Sequence, residues 1–203
     1  MRKLLDKIKE LKKSQVKETV DRRMIEFEQI GKDKEKVFQE LCFCLLTANF
    51  SAQRCIVIQE KLGDKFSKLD ENKLARELKK LGHRFPNARA GFISRAKNCK
   101  IDFGKFYNSS ELRNWLVDSV KGIGMKEASH FLRNIGYKNL AIIDFHIVDL
   151  LVREELVERP KTMTREKYLK IEDVLWDLAR KSGLSLAELD LYLWYMETGK
   201  VLK

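Results

Sequence analysis

Apolar residues recur with a helical period along most of the 203-residue chain. Near the N-terminus, one side of an amphipathic helix carries Leu4, Leu5, Ile8 and Leu11. Similar faces follow at Leu41, Leu45 and Leu46, at Leu112, Trp115, Leu116 and Val120, at Ala128, Phe131, Leu132 and Ile135, and between Glu172 and Trp194. The chain contains only two prolines, and the alternating pattern of strands is nearly absent. The pattern therefore predicts an all-α fold of roughly ten helices.

Two residues mark helix starts. Pro86 suits the first position of a helix that runs through Phe92 and Ile93, because a proline there loses no helical hydrogen bond. Asp144 follows an apolar run and precedes Ile147 and Leu150, so it suits the N-cap of another helix.

The N-terminal segment is basic but is interrupted by charges every few residues, so it lacks the apolar stretch of a signal peptide. No apolar run reaches membrane-spanning length, and we expect a cytoplasmic protein. The cysteines show neither CxxC spacing nor the second half of a zinc site, which favours buried, reduced thiols and no metal centre. They are Cys42, Cys44, Cys55 and Cys99.

The charge balance is strongly basic. Lysine and arginine number 41 against 30 acidic residues, a formal net charge of +11. Such a surplus favours a polyanionic partner, of which DNA and RNA are the commonest. On charge alone, a ribosome-associated or merely soluble basic protein is an equal alternative.

Residues 118–151 carry the most informative pattern. One helix is expected to end near Val120, and a second to begin near Met125, after the turn Gly122-Ile123-Gly124. Glycines at both turn positions tolerate positive φ and let a phosphate approach the backbone, while the second helix directs its free N–H groups at that phosphate. The pattern predicts a helix-hairpin-helix that grips the DNA backbone without reading sequence, the alternative being an ordinary helix turn.

Lys126 lies in the first turn of the second helix, where it could contact a phosphate or act as a nucleophile. A nucleophilic amine must be neutral, and the positive helix end and cations such as Lys121 favour that form. Asp144 is either a simple helix cap or a carboxylate that faces a positively charged reaction centre.

The combination of helix, GIG, helix, lysine and an apolar run into aspartate resembles the helix-hairpin-helix DNA glycosylase superfamily. The proline that usually precedes Val-Asp in its loop is replaced here by Ile142-Ile143. Within the superfamily the chain is most similar to the short, mainly archaeal, type 2 8-oxoguanine DNA glycosylases. The strings that carry this likeness are LCFCLLTAN (41–49), HRFPNAR (83–89), KGIGMKEASHFLRNIGY (121–137), LAIIDFHIVD (140–149) and LDLYLWYMETGKVLK (189–203).

The resemblance implies a bifunctional glycosylase and AP lyase acting on duplex DNA. Lys126 matches the Schiff-base lysine and Asp144 the essential carboxylate. Asn49 matches the residue that fills the gap left by the flipped nucleotide and touches the orphaned cytosine, although an asparagine there could equally cap a helix.

Further DNA contacts are also implied. Arg84, Phe85 and Arg89 correspond to a loop that wedges into the duplex. His146 would reach a phosphate, the alternative being a surface histidine. Trp194 corresponds to the aromatic platform for the flipped purine, the alternative being a core residue.

The last residue, Lys203, is expected to help recognise the lesion, the alternative being a frayed tail. 8-Oxoguanine carries an N–H donor at N7 where guanine has an acceptor. An acceptor at the end of the chain would therefore bind the lesion and repel the normal base.

An iron–sulfur cluster is excluded because no cysteine follows Cys99. The lysine chemistry that the resemblance implies needs no organic cofactor. A monovalent cation on the hairpin carbonyls of Asp118, Val120 and Ile123 would fit the family. We expect a monomer associated with the nucleoid.

We also expect two helical lobes with a DNA-binding cleft between them. Residues 51–147 would form the lobe that carries the hairpin, and residues 1–50 with 148–203 the other. The alternatives are a glycosylase for another damaged base and a non-catalytic helix-hairpin-helix DNA-binding module.

Overall fold

The computed structural model describes residues 1–203, and its regular structure is helical throughout. The helices are α1 (Arg2–Leu11), α2 (Gln15–Ile30), α3 (Lys34–Thr47), α4 (Ala52–Leu62), α5 (Lys65–Lys68), α6 (Glu71–Lys80), α7 (Pro86–Ala96), α8 (Ser109–Ser119), α9 (Met125–Asn134), α10 (Phe145–Arg153), α11 (Arg165–Ser182) and α12 (Leu186–Thr198). A 3-10 helix at Phe103–Lys105 lies between α7 and α8 in the chain. The all-α prediction is confirmed. The number of helices is twelve rather than ten, because pieces as short as α5 are too brief to give a periodic pattern.

Both helix starts read from the sequence are confirmed. Pro86 occupies the first turn of α7. Asp144 caps α10, and its side chain accepts a hydrogen bond from the Ile147 N–H. Local chemistry sets these two boundaries, which is why the sequence alone could locate them.

The chain divides into two compact units. Unit 1 comprises residues 1–29 and 136–203, and unit 2 comprises residues 30–135. These boundaries differ from the expected 50/51 and 147/148. The reason is packing, because α3 contacts α4, α7 and α9 within unit 2, whereas α10 contacts α12 within unit 1.

Each unit has its own apolar interior. In unit 1 a core cluster consists of Val20, Met24, Phe27, Ala187, Leu191 and Tyr192. In unit 2 the second half of α3, residues 41–46, is buried on every side. This explains why that segment is continuously apolar instead of amphipathic.

A buried carboxylate ties three helices of unit 2 together. Glu40 on α3 accepts hydrogen bonds from Gln59 Nε2 on α4, at 3.0 Å, and from Asn134 Nδ2 on α9, at 2.9 Å. Because both oxygens are paired, the cost of burying this polar group is offset, and α9, the second helix of the predicted hairpin, is tied to α3 and α4.

No helix of the chain is long and apolar enough to cross a membrane. All four cysteines are free thiols, as expected, and three of them are buried.

Candidate active site

The predicted hairpin is present. Helix α8 ends at Ser119 and α9 begins at Met125, with Ile123 buried in the turn between them. Gly122 has φ +95°, and a Cβ placed on it would lie 2.5 Å from the Phe92 ring. Gly124 has φ −105°, so only the first glycine uses the positive φ expected of both. Glycine is therefore required at position 122 on two counts, backbone angle and space.

The start of α9 holds a lysine and a glutamate side by side. Glu127 Oε2 accepts the Gly124 N–H at 3.3 Å, an arrangement in which the third helical residue reaches back to the cap. Lys126 Nζ lies 3.8 Å from Glu127 Oε1, and its side chain is 24% exposed. The amine is thus accessible, and its carboxylate neighbour is already engaged at the helix end.

A cationic environment surrounds the thiol of Cys55 in unit 2. Burial raises the pKa of Cys55 to about 12, although the positive charges of Lys126, Arg89 and Arg54 all oppose that rise. The thiol therefore stays neutral at physiological pH and places no negative charge beside Lys126.

Asn49 lies at an unusual turn. It follows Ala48, the C-cap of α3, and is one of two non-glycine residues with positive φ, at +58°. Its side chain is exposed and makes no hydrogen bond within the protein. Asparagine tolerates this conformation better than most residues, but a positive φ still strains the backbone of any residue other than glycine. Of the two roles left open, Asn49 does not act as a side-chain cap.

Two buried side chains form hydrogen bonds to backbone carbonyls next to this turn. Arg89 donates a hydrogen bond to the Ala48 carbonyl. His83, only 4% exposed, contacts the Leu46 carbonyl through Nε2 at 3.0 Å, and its Nδ1 accepts the Phe85 N–H at 3.1 Å. Since Nδ1 accepts, Nε2 must carry the proton, and the neutral ring links the end of α3 to the start of the Phe85 loop.

The three residues expected to wedge into DNA fall into two groups. Arg84 and Phe85 are exposed, with the guanidinium 5.0 Å from the ring centroid. Arg89 is buried, and its guanidinium lies 5.9 Å from the Phe85 ring and 5.6 Å from the Phe92 ring. Arg89 therefore connects the Asn49 turn to the aromatic ring that packs against Gly122.

In unit 1, only one oxygen of the Asp144 carboxylate accepts a hydrogen bond from the protein. Oδ1 accepts the Ile147 N–H at 3.0 Å, and Oδ2 makes no hydrogen bond or ion pair with the protein. The cap fixes the orientation of the group and leaves one oxygen for another partner.

An aromatic row begins beside Asp144. Phe145 is 67% exposed, and its ring centroid lies 3.9 Å from that of His146. His146 in turn meets Trp194 edge-on at 4.9 Å. The buried indole Nε1 of Trp194 has no hydrogen-bond partner within the protein. An unpaired buried donor of this kind marks a position where a ligand atom could accept.

The C-terminal residues 201–203 are half-buried, and Val201 packs against the core cluster of unit 1. Lys203 itself is partly buried, and its role in lesion recognition stays a prediction.

Some supporting residues escaped the sequence analysis. Glu127 had a signal, since a glutamate three positions after the turn glycine is the capping-box spacing. His83 and Phe92 had none beyond their place in or near the HRFPNAR string, because their partners lie far away in the sequence. No group of three or more His, Cys, Asp or Glu side chains is arranged to hold a metal ion.

Comparison with known proteins gives consistent results. A family model described as 8-oxoguanine DNA glycosylase matches residues 20–184. The chain is 51% identical over 205 residues to the 8-oxoguanine DNA glycosylase/AP lyase of Korarchaeum cryptofilum, with 98% of each chain covered.

Two crystal structures are similar over nearly their whole length. One is the 8-oxoguanine glycosylase/lyase of Methanocaldococcus jannaschii in complex with a 15mer DNA containing 8-oxoguanine. Its TM-score is 0.93 at 48% identity, covering 98% of this chain and 99% of the other. The other is the 8-oxoguanine DNA glycosylase of Thermotoga maritima, with a TM-score of 0.91 at 40% identity, covering 100% and 99%.

Proposed function

The chain belongs to the 8-oxoguanine DNA glycosylase family, and we propose that it excises 8-oxoguanine from duplex DNA and then cleaves the strand at the abasic site. The observation that carries this proposal is the near-full-length likeness to a chain crystallised with 8-oxoguanine DNA. The Lys126 amine, on a partly exposed side chain at the start of α9, supplies a suitable nucleophile.

The hairpin is proposed to hold the DNA backbone. The N–H groups of the first turn of α9 lack intrahelical partners, and the helix dipole favours an anion there. Gly122 lets a phosphate approach the backbone closely, while the Glu127 carboxylate occupies the Gly124 N–H. The phosphate is therefore expected at the amides of Met125 and Lys126 and not at Gly124.

The damaged nucleotide is proposed to leave the stack, at a cost of a few kcal/mol that is smaller at a lesion than at a normal pair. Asn49 and Phe85, both exposed, would occupy the vacated space. Trp194 would offer its ring and its unpaired N–H to the extruded base, and Lys203 would help to recognise the lesion.

In the chemical step, Lys126 Nζ attacks C1′ of the deoxyribose as the bond to the base breaks. The free Asp144 oxygen stabilises the positive charge that develops on the sugar. One proton passes from the nitrogen to the departing base. The C1′–O4′ bond then breaks as the nitrogen forms a double bond to C1′, O4′ takes up the second proton, and an imine joins Lys126 to the opened sugar. Removal of a proton from C2′ then expels the 3′ phosphate by β-elimination. His146, two residues after Asp144, would contact a neighbouring phosphate.

A lesion panel tests the proposed function. Duplexes with 8-oxoguanine opposite cytosine, with an oxidised pyrimidine, with uracil and without damage would be incubated with excess protein, and strand breaks measured with and without alkali. We expect cleavage of the 8-oxoguanine duplex without alkali and little cleavage of the others. Preferred cleavage of the oxidised pyrimidine or uracil duplex would reassign the lesion, and binding without any cleavage would leave only a DNA-binding module.

We further propose that the protein is a cytoplasmic monomer associated with the nucleoid. The +11 charge favours retention on chromosomal DNA at low salt. Fractionation of lysates treated with nuclease would test that association, and the sedimentation coefficient of the purified chain would test the monomer.

A further inference from the structure

The residues that lead into Asp144 are held by side chains from another helix. Residues 140–143 form no helix or strand, yet all four are buried. On α11, the Tyr168 hydroxyl donates to the Ala141 carbonyl at 2.7 Å and accepts the Ile143 N–H at 3.2 Å. Glu172 Oε1 accepts the Ala141 N–H at 2.8 Å. Two side chains thus provide the hydrogen bonds that a sheet would otherwise give this segment.

The Tyr168 hydroxyl is well suited to fix the backbone. It bridges two residues of the segment at once, so it restrains the peptide groups on both sides of Ile142. Tyr168 is 2% exposed, and water therefore cannot easily replace its hydrogen bonds. The Ile142 N–H makes no hydrogen bond in the structure, so nothing else in the backbone restrains that residue.

Asp144 is the next residue along the chain. Its carboxylate is anchored on one side by the Ile147 N–H. On the other side, Asp144 directly follows Ile143, whose N–H is held by the Tyr168 hydroxyl. In related loops a proline would fix φ at about −65° at the place of Ile142, whereas isoleucine leaves that angle free. The hydroxyl can supply the same restraint from outside the loop.

We propose that Tyr168 is a positioning residue for Asp144, holding the free carboxylate oxygen where positive charge develops on the sugar. This inference rests on the proposed function. It assigns to Tyr168 an effect on the excision rate and not on DNA binding, because the hydroxyl is buried and its hydrogen bonds to Ala141 and Ile143 hold the backbone that leads into Asp144.

The variant Tyr168→Phe removes the hydroxyl and keeps the ring. Single-turnover excision would be measured over a range of enzyme concentrations, together with affinity for a duplex carrying an abasic-site analogue and the thermal unfolding midpoint. We expect the maximal rate to fall about 10-fold to 100-fold, since small misplacements of catalytic groups have effects of this size. The half-saturating concentration and the affinity for the analogue should stay close to those of the parent protein.

Tyr192→Phe is the matched control. Tyr192 is also a buried tyrosine of unit 1, but it lies in the core cluster and makes none of the hydrogen bonds to Ala141 or Ile143. This control should leave the maximal rate unchanged.

Ile142→Pro provides a rescue, because proline restrains the backbone without needing the hydroxyl and removes an N–H that has no partner. Added to Tyr168→Phe, it should recover part of the lost rate. A double variant no faster than Tyr168→Phe alone would contradict the proposal.

Other outcomes are equally decisive. A Tyr168→Phe protein that excises at the parent rate overturns the positioning role. A Tyr168→Phe protein that unfolds below the assay temperature also overturns it, as does one that loses excision rate and DNA affinity together. In either case the hydroxyl would stabilise unit 1 as a whole and not Asp144 in particular. A parent protein that excises nothing would instead refute the proposed function.

Discussion

Replacing Asn49 by glycine separates the backbone role of this residue from its side-chain role. Asn49 has φ +58°, is exposed, and makes no hydrogen bond within the protein. Glycine adopts this conformation without strain, whereas a residue with a Cβ incurs a cost of about 1–2 kcal/mol. Asn49→Gly should therefore be at least as stable as the parent, and Asn49→Ala less stable by about 1 kcal/mol. In a protein of this size the latter lowers the unfolding midpoint by about 2–4 °C.

The two variants should differ in stability but not in activity. Both lose the amide that is proposed to replace the flipped nucleotide, so both should excise more slowly than the parent protein, by a similar factor. A lost hydrogen bond of about 1–3 kcal/mol corresponds to roughly a 5-fold to 150-fold decrease. The assays are calorimetry and single-turnover excision opposite cytosine. A glycine variant less stable than the alanine variant would refute the backbone argument, and parent-like excision by the glycine variant would refute the role in DNA.

The remaining predictions concern a buried histidine, a turn glycine and the chain end. Burial lowers the pKa of His83, with the charges of Arg89 and Arg54 acting in the same direction and the Leu46 carbonyl opposing them. The neutral ring therefore stabilises the fold above the ordinary histidine pKa of about 6.5. This stability is lost as the pH falls below that value through the lower folded pKa, and melting curves of His83→Gln should show a shallower loss over that range. Gly122→Ala should lower the unfolding free energy by about 2 kcal/mol or more because of its φ and the Phe92 ring, while Gly124→Ala should change it less; equal melting points would refute this. Deleting Lys203 should reduce discrimination between 8-oxoguanine and guanine far more than it reduces abasic-site cleavage, and unchanged discrimination would make the residue dispensable.

Local signals in the sequence predicted the parts of the fold that depend on neighbours in the chain. Pro86, Asp144 and the GIG turn each satisfy a requirement within a few residues, and each was found where it was expected. Arg89 was grouped with Arg84 and Phe85 in a loop that wedges into DNA, but the structure buries it. The sequence could not show this, because its partner, the Ala48 carbonyl, is distant in sequence and only folding brings the two together.

The same reason explains what could not be anticipated in the candidate site. Tyr168 carries no motif, and its effect on residues 141–143 arises because α11 packs beside that segment. The boundary between the units also depends on packing, since α3 contacts α4, α7 and α9, which follow it in the chain.

Borohydride trapping tests the central claim most directly. The reagent reduces an imine between a lysine and the sugar to a stable link, and digestion followed by mass spectrometry identifies the lysine. We expect the parent protein and Lys121→Gln to form the adduct on 8-oxoguanine duplex, with the sugar attached at Lys126. Lys126→Gln should remain folded and bind DNA but form no adduct, because glutamine keeps a polar side chain at this partly exposed position and lacks the amine. An adduct of normal yield in Lys126→Gln, or one attached at another lysine, would contradict the account.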